Sequence, residues 1–434
     1  MSIKLFLYPL ILFSLSLKAS DLKIAIVGAG PSGLMAAHTL KKLGYKNITI
    51  FEKEDQVGGK VHSFTYNNNA YEMGAVLLGD NYTSVINLAG ELDVPLSPFP
   101  TGLNFIGVRG EVTNFIDDLL HKHGLMKLFG AILHYKVLTH KYGSIHTDLA
   151  LAHPDLFENF TTFARINHIE PLIDLFKPFV TGSGYGYPEE VPALYVMKLI
   201  SWPLIKSLFA SYIKLGDKIL YFKEGYQKLF IKMAQNLNVN LNSKVTNIER
   251  IPRGDGTTTI YLTAGGVTQI FDKVIISTIP KTALNFIDAS EEEEELFNKI
   301  KTYRYITTTL QVNDLGNKSL FFKNNFNRSA FGEVLILLNL NPTANLFVSY
   351  QFDSLDPIPS IEERGGSVAE ILYQKEWDYF PHFTKTDLED KPYRQLNKLQ
   401  GKLGTYYVGG TLNFETVNDV LSHAKKLIME KFSK

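Results

Sequence analysis

Apolar and polar positions change period several times along the chain, and each change marks an element. From Lys23 to Val27 the run K-I-A-I-V is continuously apolar after its first residue and predicts a short buried strand. Apolar residues then recur at helical spacing from Pro31 to Leu43, and Gly44 closes that helix. Asn47 to Glu52 predicts the next strand, which completes a β-α-β unit. Between Asn114 and Leu220 the spacing is three to four residues, a helical region. It is broken by the glycine-rich "FVTGSGYGYPEEVPALYVMKLI", after which a helix is expected from near Glu189. From Val245 the period becomes two. "KVTNIERI", "TTTIYLTA" and "VTQIF" are separated by the turn sequences "RGDG" and "GG", a three-stranded meander. "KVIISTIP" reads as a fully buried strand ending at Pro280. Ser290 followed by Glu293 predicts a helix cap, which accounts for the acidic run Glu291 to Glu295 better than a cation site does. More strands are expected between Tyr305 and Phe383. The chain closes with the strand "GTYYVGG" and a helix through "VNDVLSHAKKLIMEKF".

The first twenty residues follow a different pattern. A single charge, Lys4, precedes an apolar run from Leu5 to Leu17, with small residues Ala19 and Ser20 after it. This is the layout of a secretory signal peptide, and a run of thirteen is short for a bilayer span. An exported protein whose mature chain begins near Asp21 is expected. The chain has no cysteine, which excludes disulfides, thiolate metal sites and a thioether-linked cofactor. No metal site is expected. Lys+Arg and Asp+Glu both number 44, so no basic surface for nucleic acid is implied. The 29 Phe and 22 Tyr suit a protein with an apolar cavity.

The turn between the first strand and helix, "VGAGPSG", places Gly28, Gly30 and Gly33 in G-x-G-x-x-G. Gly28 allows the tight turn, Gly30 lets the backbone approach a pyrophosphate, and Gly33 lets helix and strand pack closely. The diphosphate of a dinucleotide then lies on the free N–H groups of the helix start. Glu52, at the end of the second strand, can accept hydrogen bonds from ribose hydroxyls and repels a 2′-phosphate, which disfavours NADP. Further glycines, at Gly58 and Gly59, at Gly74 beside Ala75, and at Gly409 and Gly410, suit backbone approach to one long extended ligand. A second G-x-G-x-x-G in β-α-β context, as a separate NAD domain needs, is absent; "GSGYG" at Gly182 to Gly186 lacks the spacing.

The ordered set "VGAGPSG", "EK", "VGGK", "EMGA", "KVTNI", "DKVIISTIP" and "YYVGG" resembles the FAD-dependent amine oxidase and phytoene desaturase superfamily, from Ile24 to about Lys425. "VGGKVHS", "YEMGAV", "GYGYPEEVPALYVMKLI" and "DYFPH" resemble, within it, the polyenoic fatty acid isomerase family, flavoproteins that move a double bond of linoleic acid into conjugation. The resemblance implies an α/β fold: a discontinuous Rossmann-type FAD-binding domain with an inserted mixed-sheet and helical substrate domain. The expected division is residues 1–20 as signal peptide, 21–85, 221–290 and 399–434 as the FAD-binding domain, and 86–220 and 291–398 as the substrate domain. It implies noncovalent FAD. Gly28, Ala29, Gly30, Ser32 and Gly33 would hold the diphosphate, and Glu52 with the adjacent Lys53 the adenosine end. Lys60, after Gly59, takes the place usually filled by Arg or Lys and would bind the cofactor with it. Gly74 and Ala75 would pass close to the flavin, and Val245 would pair its backbone with adenine. Gly409 and Gly410 after the last strand would approach the cofactor, and Val417 and Asn418, near the last helix start, would face the flavin's pyrimidine edge. Two departures are visible. The superfamily's Gly-Glu is Gly409-Gly410 here. The arginine that clamps a fatty acid carboxylate aligns with Gly102 or Leu103, with Arg109 following in the turn.

A flavin ring takes up a hydride without a protein nucleophile, so the protein must supply position, dryness and electrostatics. Candidate wall residues are Tyr185, Tyr187, Trp377, Tyr379, Phe380 and His382, whose ring faces can stabilise developing positive charge; His382 is also a candidate acid or base. Three readings follow. One is redox-neutral isomerisation of a long unsaturated chain. Another is oxidation of an amine or alkyl chain, with oxygen or a quinone as acceptor. Many amine oxidases of the superfamily carry a lysine in a strand resembling "YITTTLQV", which here offers Thr307 to Thr309. The third is a flavin-bearing, membrane-associated protein with little catalysis. "VPALYVMKLISWPLIKSLFASYIKLGDK" could draw lipid from a membrane or form a cap over a substrate tunnel.

Overall fold

The computed structural model describes residues 21–100, 104–212 and 219–433, with no account of the side chains of 208–212. The expected signal peptide therefore lies outside the described residues, as do Gly102 and Leu103. A five-stranded sheet has the order Val239–Asn240, Asn47–Phe51, Lys23–Val27, Lys273–Ile276, Thr405–Tyr407, and every neighbour pair is parallel. Its strands come from four distant stretches of sequence. Parallel strands buried on both faces need continuous apolar runs, and Ile24, Ala25, Ile26, Val274, Ile275 and Ile276 are fully buried. The helix Pro31–Lys42 has no side-chain N-cap and ends at Gly44, whose φ of +92 lets Gly44 and Tyr45 N–H return to Lys41 and Leu40 carbonyls. Helix Val417–Phe432 packs beside it.

The meander is Val245–Pro252, Thr258–Ala264, Val267–Phe271, antiparallel throughout. A seven-stranded sheet runs in the order Ser367–His382, Lys301–Asn313, Leu346–Phe352, Ile336–Leu338, Leu320–Phe322, Asn104–Ile106, Val112–Asn114; only the pair of Leu320–Phe322 with Asn104–Ile106 is parallel. Helices Phe115–His123, Leu125–Lys141, Phe160–Ile166, Pro171–Gly182 and Ala193–Leu199 pack on one another, and Trp202–Tyr212 packs on the strands Leu77–Gly79 and Ile219–Tyr221.

Three local expectations need correction. The helix expected from Glu189 begins at Ala193, because Pro188 and Pro192 disfavour helical geometry in the residues before them. Leu220 belongs to a strand, Ile219–Tyr221, which pairs with Leu77–Gly79 and Ser97–Pro98. The buried strand after the meander stops at Ile276, and Pro280 opens a one-turn helix instead. The Ser290 capping box is present, and its Glu293 has a second use. Glu293 takes two hydrogen bonds from Arg250, at 2.8 and 2.7 Å, and one from the Tyr407 hydroxyl at 2.5 Å. This buried group ties the meander, the inserted helix and the last parallel strand together, and its cations and donors hold Glu293 down at about 2.

Candidate cofactor and substrate site

The glycine turn is built for close approach. Gly28 has φ +101, and a methyl group on Gly33 would lie 2.1 Å from the Gly28 carbonyl, so helix and strand touch through hydrogens only. Gly30 differs: within the protein a methyl group there meets only Gly59 Cα, at 3.9 Å. Its missing side chain leaves room for a ligand rather than for the chain. The helix start is uncapped, so the backbone donors of Ser32 and Gly33 face the same place. Glu52 is buried, accepting from Ala29 N–H at 2.7 Å and Glu54 N–H at 3.0 Å, and each oxygen keeps a lone pair for a hydroxyl. Lys53 points away, exposed and paired with Glu54. Val245 is buried opposite Ala264. The segment leading to it runs beside Glu52, whose carbonyl accepts from Ser243 N–H.

Gly59, which Gly30 approaches, is followed by Lys60, and Lys60 lines a cavity of about 490 Å³. Lys60, Gly74, Ala75, Val417, Tyr185, Trp377 and Tyr379 all line it. Gly74 cannot carry a side chain, since a methyl group would lie 1.9 Å from the Lys60 carbonyl. The Met73 carbonyl before it accepts from Trp377 Nε1 at 2.6 Å and Thr307 Oγ1 at 2.9 Å, and the Glu72 carbonyl accepts from the Tyr350 hydroxyl at 2.6 Å. The aromatic sheet thus grips the "YEMGAV" strand and fixes where Gly74 and Ala75 meet the cavity. Glu72 itself is fully buried, and desolvation raises it to about 8, so it is neutral while accepting from Tyr226 N–H and Ser63 Oγ.

Gly409 has φ +122 and faces the Ser277 carbonyl and Ser32. At Gly410 the structure resolves one departure from the family pattern. A side chain starting there would begin 2.1 Å from Glu415 Oε2, so the Glu415 carboxylate occupies the space. Glu415 Oε1 accepts from Lys60 Nζ at 2.6 Å, while Oε2 is buried without a partner and lines the cavity. The Tyr226 hydroxyl, which also lines the cavity, and the Thr278 hydroxyl are buried and unpartnered too. At the last helix start Thr416 Oγ1 accepts from Asp419 N–H, leaving the Val417 and Asn418 N–H groups without a partner among the described residues. The Asn418 side chain is committed elsewhere, accepting from Ser84 N–H.

Three candidate wall residues, Phe380, His382 and Tyr187, do not reach the cavity. Phe380 and His382 form a core layer behind it, ring centroids 4.5 Å apart, with His382 Nδ1 on the Phe380 carbonyl. Burial drives His382 down to about 4, so it is a neutral structural histidine. Tyr187 is also buried in core. The "GSGYG" break is a packing device: Gly184 and Gly186 have positive φ, and added methyl groups would meet the Tyr379 and Tyr303 rings at 2.8 Å or less. Local patterns do not single out Glu72, Tyr226, Tyr305, Tyr350 or Glu415. Only the unabsorbed carboxylate following "NF" could have pointed to Glu415. Arg109, in an exposed turn, and Arg304, paired with Glu376, both lie off the cavity wall. Of the segment read as a membrane face or cap, the described part up to Ile205 is largely interior. Ala193 to Lys198 are buried, and Leu199, Ile200, Leu204 and Ile205 cover the cavity as a cap. Among the described residues no group of three His, Cys, Asp or Glu is placed to hold a metal.

A parallel sheet with an uncapped glycine turn, a buried carboxylate at the end of its second strand and an aromatic-lined cavity matches a flavin-dependent oxidoreductase fold. The chain belongs to the flavin containing amine oxidoreductase family, whose model matches residues 31–401. FAD is its cofactor, and the donors and unpartnered acceptors described above fit it. The structure is similar to the crystal structure of the CLA-producing fatty acid isomerase from P. acnes, with a TM-score of 0.86 and 25% identity, over 95% of this chain and 99% of that one. In sequence it is similar to the polyenoic fatty acid isomerase of Ptilota filicina, 42% identical over 294 residues, 59% of this chain and 56% of that enzyme. Putrescine oxidase shares the fold at a TM-score of 0.69 and 17% identity, over 95% of this chain and 99% of that one.

Proposed function

We propose that this enzyme moves a double bond of a polyunsaturated fatty acid into conjugation, in a reaction with no net oxidation. The observation that carries the reading is the cavity wall. Leu175, Phe176, Phe179, Ile200, Leu204 and Ile336 give it an apolar lining, and Lys60, the cation on the described wall, is paired with Glu415. The two isomerases named above support the same substrate class. Bound FAD supplies an acceptor that can take up a hydride and return it. With FAD bound, a doubly allylic carbon of the substrate would give up a hydride, leaving a pentadienyl cation, and a hydride would return at another carbon with no net oxidation. Tyr185, Tyr379 and Trp377 offer ring faces to that positive charge. The apolar wall excludes water that would capture it. Thr307, which lines the cavity with its hydroxyl held on the Met73 carbonyl, stands in a strand resembling the one in which many amine oxidases carry a lysine.

Anaerobic incubation with linoleate tests the reading. Conjugated-diene absorbance beyond one equivalent per flavin is expected, because an oxidase stalls once its flavin is reduced. Peroxide formed from amines, without the diene signal, reverses the assignment in favour of an oxidase. No cation on the described wall rewards a carboxylate, so an ester of the same chain is expected to compete well with the free acid. The apolar segment at residues 5–17 supports export as part of this reading. N-terminal sequencing of protein from its host is expected to begin near Asp21, and an intact Met1 or Ser2 in the cytosol contradicts it.

A further inference from the structure

Helix Leu125–Lys141 leaves a row of large apolar side chains in solvent. Met126 is 81% exposed, Phe129 54%, Leu133 47% and Val137 62%. At 3.6 residues per turn Met126, Gly130, Leu133 and Val137 fall in one line, with Phe129 beside it. The opposite face, Leu128, Ala131, Ile132, Tyr135 and Leu138, is the one that packs inward. The outward stripe is edged by lysines on both sides: Lys136 on one, Lys127 and Lys141 on the other. The helix contains no Asp or Glu. Lys141 reaches Asp155 at 3.6 Å and Lys122, just before the helix, pairs with Asp174. Lys127 and Lys136 have no carboxylate partner among the described residues, and Lys136 Nζ lies over the Trp202 ring at 5.4 Å. Large apolar residues on a stripe bounded by lysines match the interface of an anionic bilayer, where rings and methyl groups enter the acyl boundary and ammonium groups meet the headgroups. A second copy of the chain fits poorly, since a two-fold contact would bring the same lysine edges together.

This helix is also one side chain away from the site. Tyr135, on its inner face, donates to the Ile200 carbonyl at 2.8 Å and packs edge-on against Phe176 with ring centroids 4.9 Å apart. Both Ile200 and Phe176 line the cavity. We infer that helix Leu125–Lys141 docks flat on an anionic lipid surface and holds the cavity over it. The inference stands on surface geometry and is independent of which reaction the cavity carries out, so a failed linoleate assay leaves it untouched.

Because the chain lacks cysteine, a single introduced thiol reports one position. The full chain carrying Leu133→Cys with an environment-sensitive fluorophore is mixed with vesicles of phosphatidylcholine containing about 30% phosphatidylglycerol. A blue shift is expected at 133 and none at a control label, Gln269→Cys, on the exposed meander. Phe129→Ser with Leu133→Ser is expected to weaken vesicle binding on the order of a hundred-fold, from two lost apolar side chains. Lys127→Glu with Lys136→Glu should abolish the preference for anionic over neutral vesicles. Protein that stays in the supernatant overturns the inference. Vesicle-bound protein with no shift at 133 also overturns it, and assigns attachment to another segment such as residues 5–17. A shift at 133 that needs no lipid and accompanies a doubled mass overturns it in favour of a second copy.

Discussion

The two walls of the site are made by opposite means. On the glycine-turn side the surface is backbone: Gly28, Gly30 and Gly33 keep it free of side chains, and the donors it offers are the N–H groups of an uncapped helix. On the aromatic side, it is made by side chains that converge from far apart, as when Trp377 and Thr307 both bind the Met73 carbonyl across more than 230 positions of chain. Backbone recognition needs small residues at fixed spacing, so it is written locally. Side-chain recognition needs only the right residue at the right place in space, and many sequences meet that. The charged groups divide the same way. Glu293, beside the parallel sheet, is ionised by its partners, whereas Glu72, beneath the aromatic sheet, is neutral through burial.

The strongest break of this comparison is Gly30→Leu. Its side chain would enter ligand space while meeting only Gly59 Cα from the protein. Loss of all flavin absorbance with an unchanged far-UV spectrum is expected; a yellow variant would show that the turn is not the diphosphate cradle. Next comes Arg250→Met, which strands the buried Glu293 carboxylate and should cost about 3–5 kcal/mol in denaturant unfolding. Trp377→Phe sharpens the contrast from the other wall. It frees one of the two bonds on the Met73 carbonyl, costing about 1 kcal/mol, and should lower turnover on the order of ten-fold while flavin content stays complete.

Acid and alkali separate the two regions further. Glu293 is held below its unfolded value of 4.5, so its contribution is present above that pH and is lost as pH falls toward about 2. Glu72 is held above 4.5, so the unfolded state gives up its proton first and stability declines as pH rises from 4.5 to about 8. Melting temperatures of Glu72→Gln across that range should lack the decline; an unchanged slope would assign it to other groups. The smallest effect is expected from His382→Gln. Turnover should stay within about two-fold, because the ring lies behind the wall, with a stability loss of roughly 1–2 kcal/mol from the core.

Much of the fold is legible in local sequence. The β-α-β unit, the meander, the Ser290 cap and the last strand and helix all rest on local period, glycine placement or a capping residue. Phe380 and His382 show where that legibility ends. They neighbour Tyr379 in sequence, but Phe380 takes φ +51, and the strand's wall-facing alternation stops there. The buried run Ala193 to Lys198 has the composition of a lipid-facing segment, yet neighbours cover it; the less apolar helix Leu125–Lys141 is the one left uncovered.

The sequence by itself determined the dinucleotide turn, the class of cofactor, the first β-α-β unit, the meander and the closing strand and helix, because close backbone approach permits few residues at fixed intervals and these elements follow local period. The tertiary structure alone decided which aromatic rings face the cavity, and that Glu415 fills the place beside Gly410. It decided also that Lys60 is paired with Glu415, and which helix keeps an apolar face in solvent. Each of those depends on residues tens to hundreds of positions apart or on what covers a surface, and no local pattern encodes either.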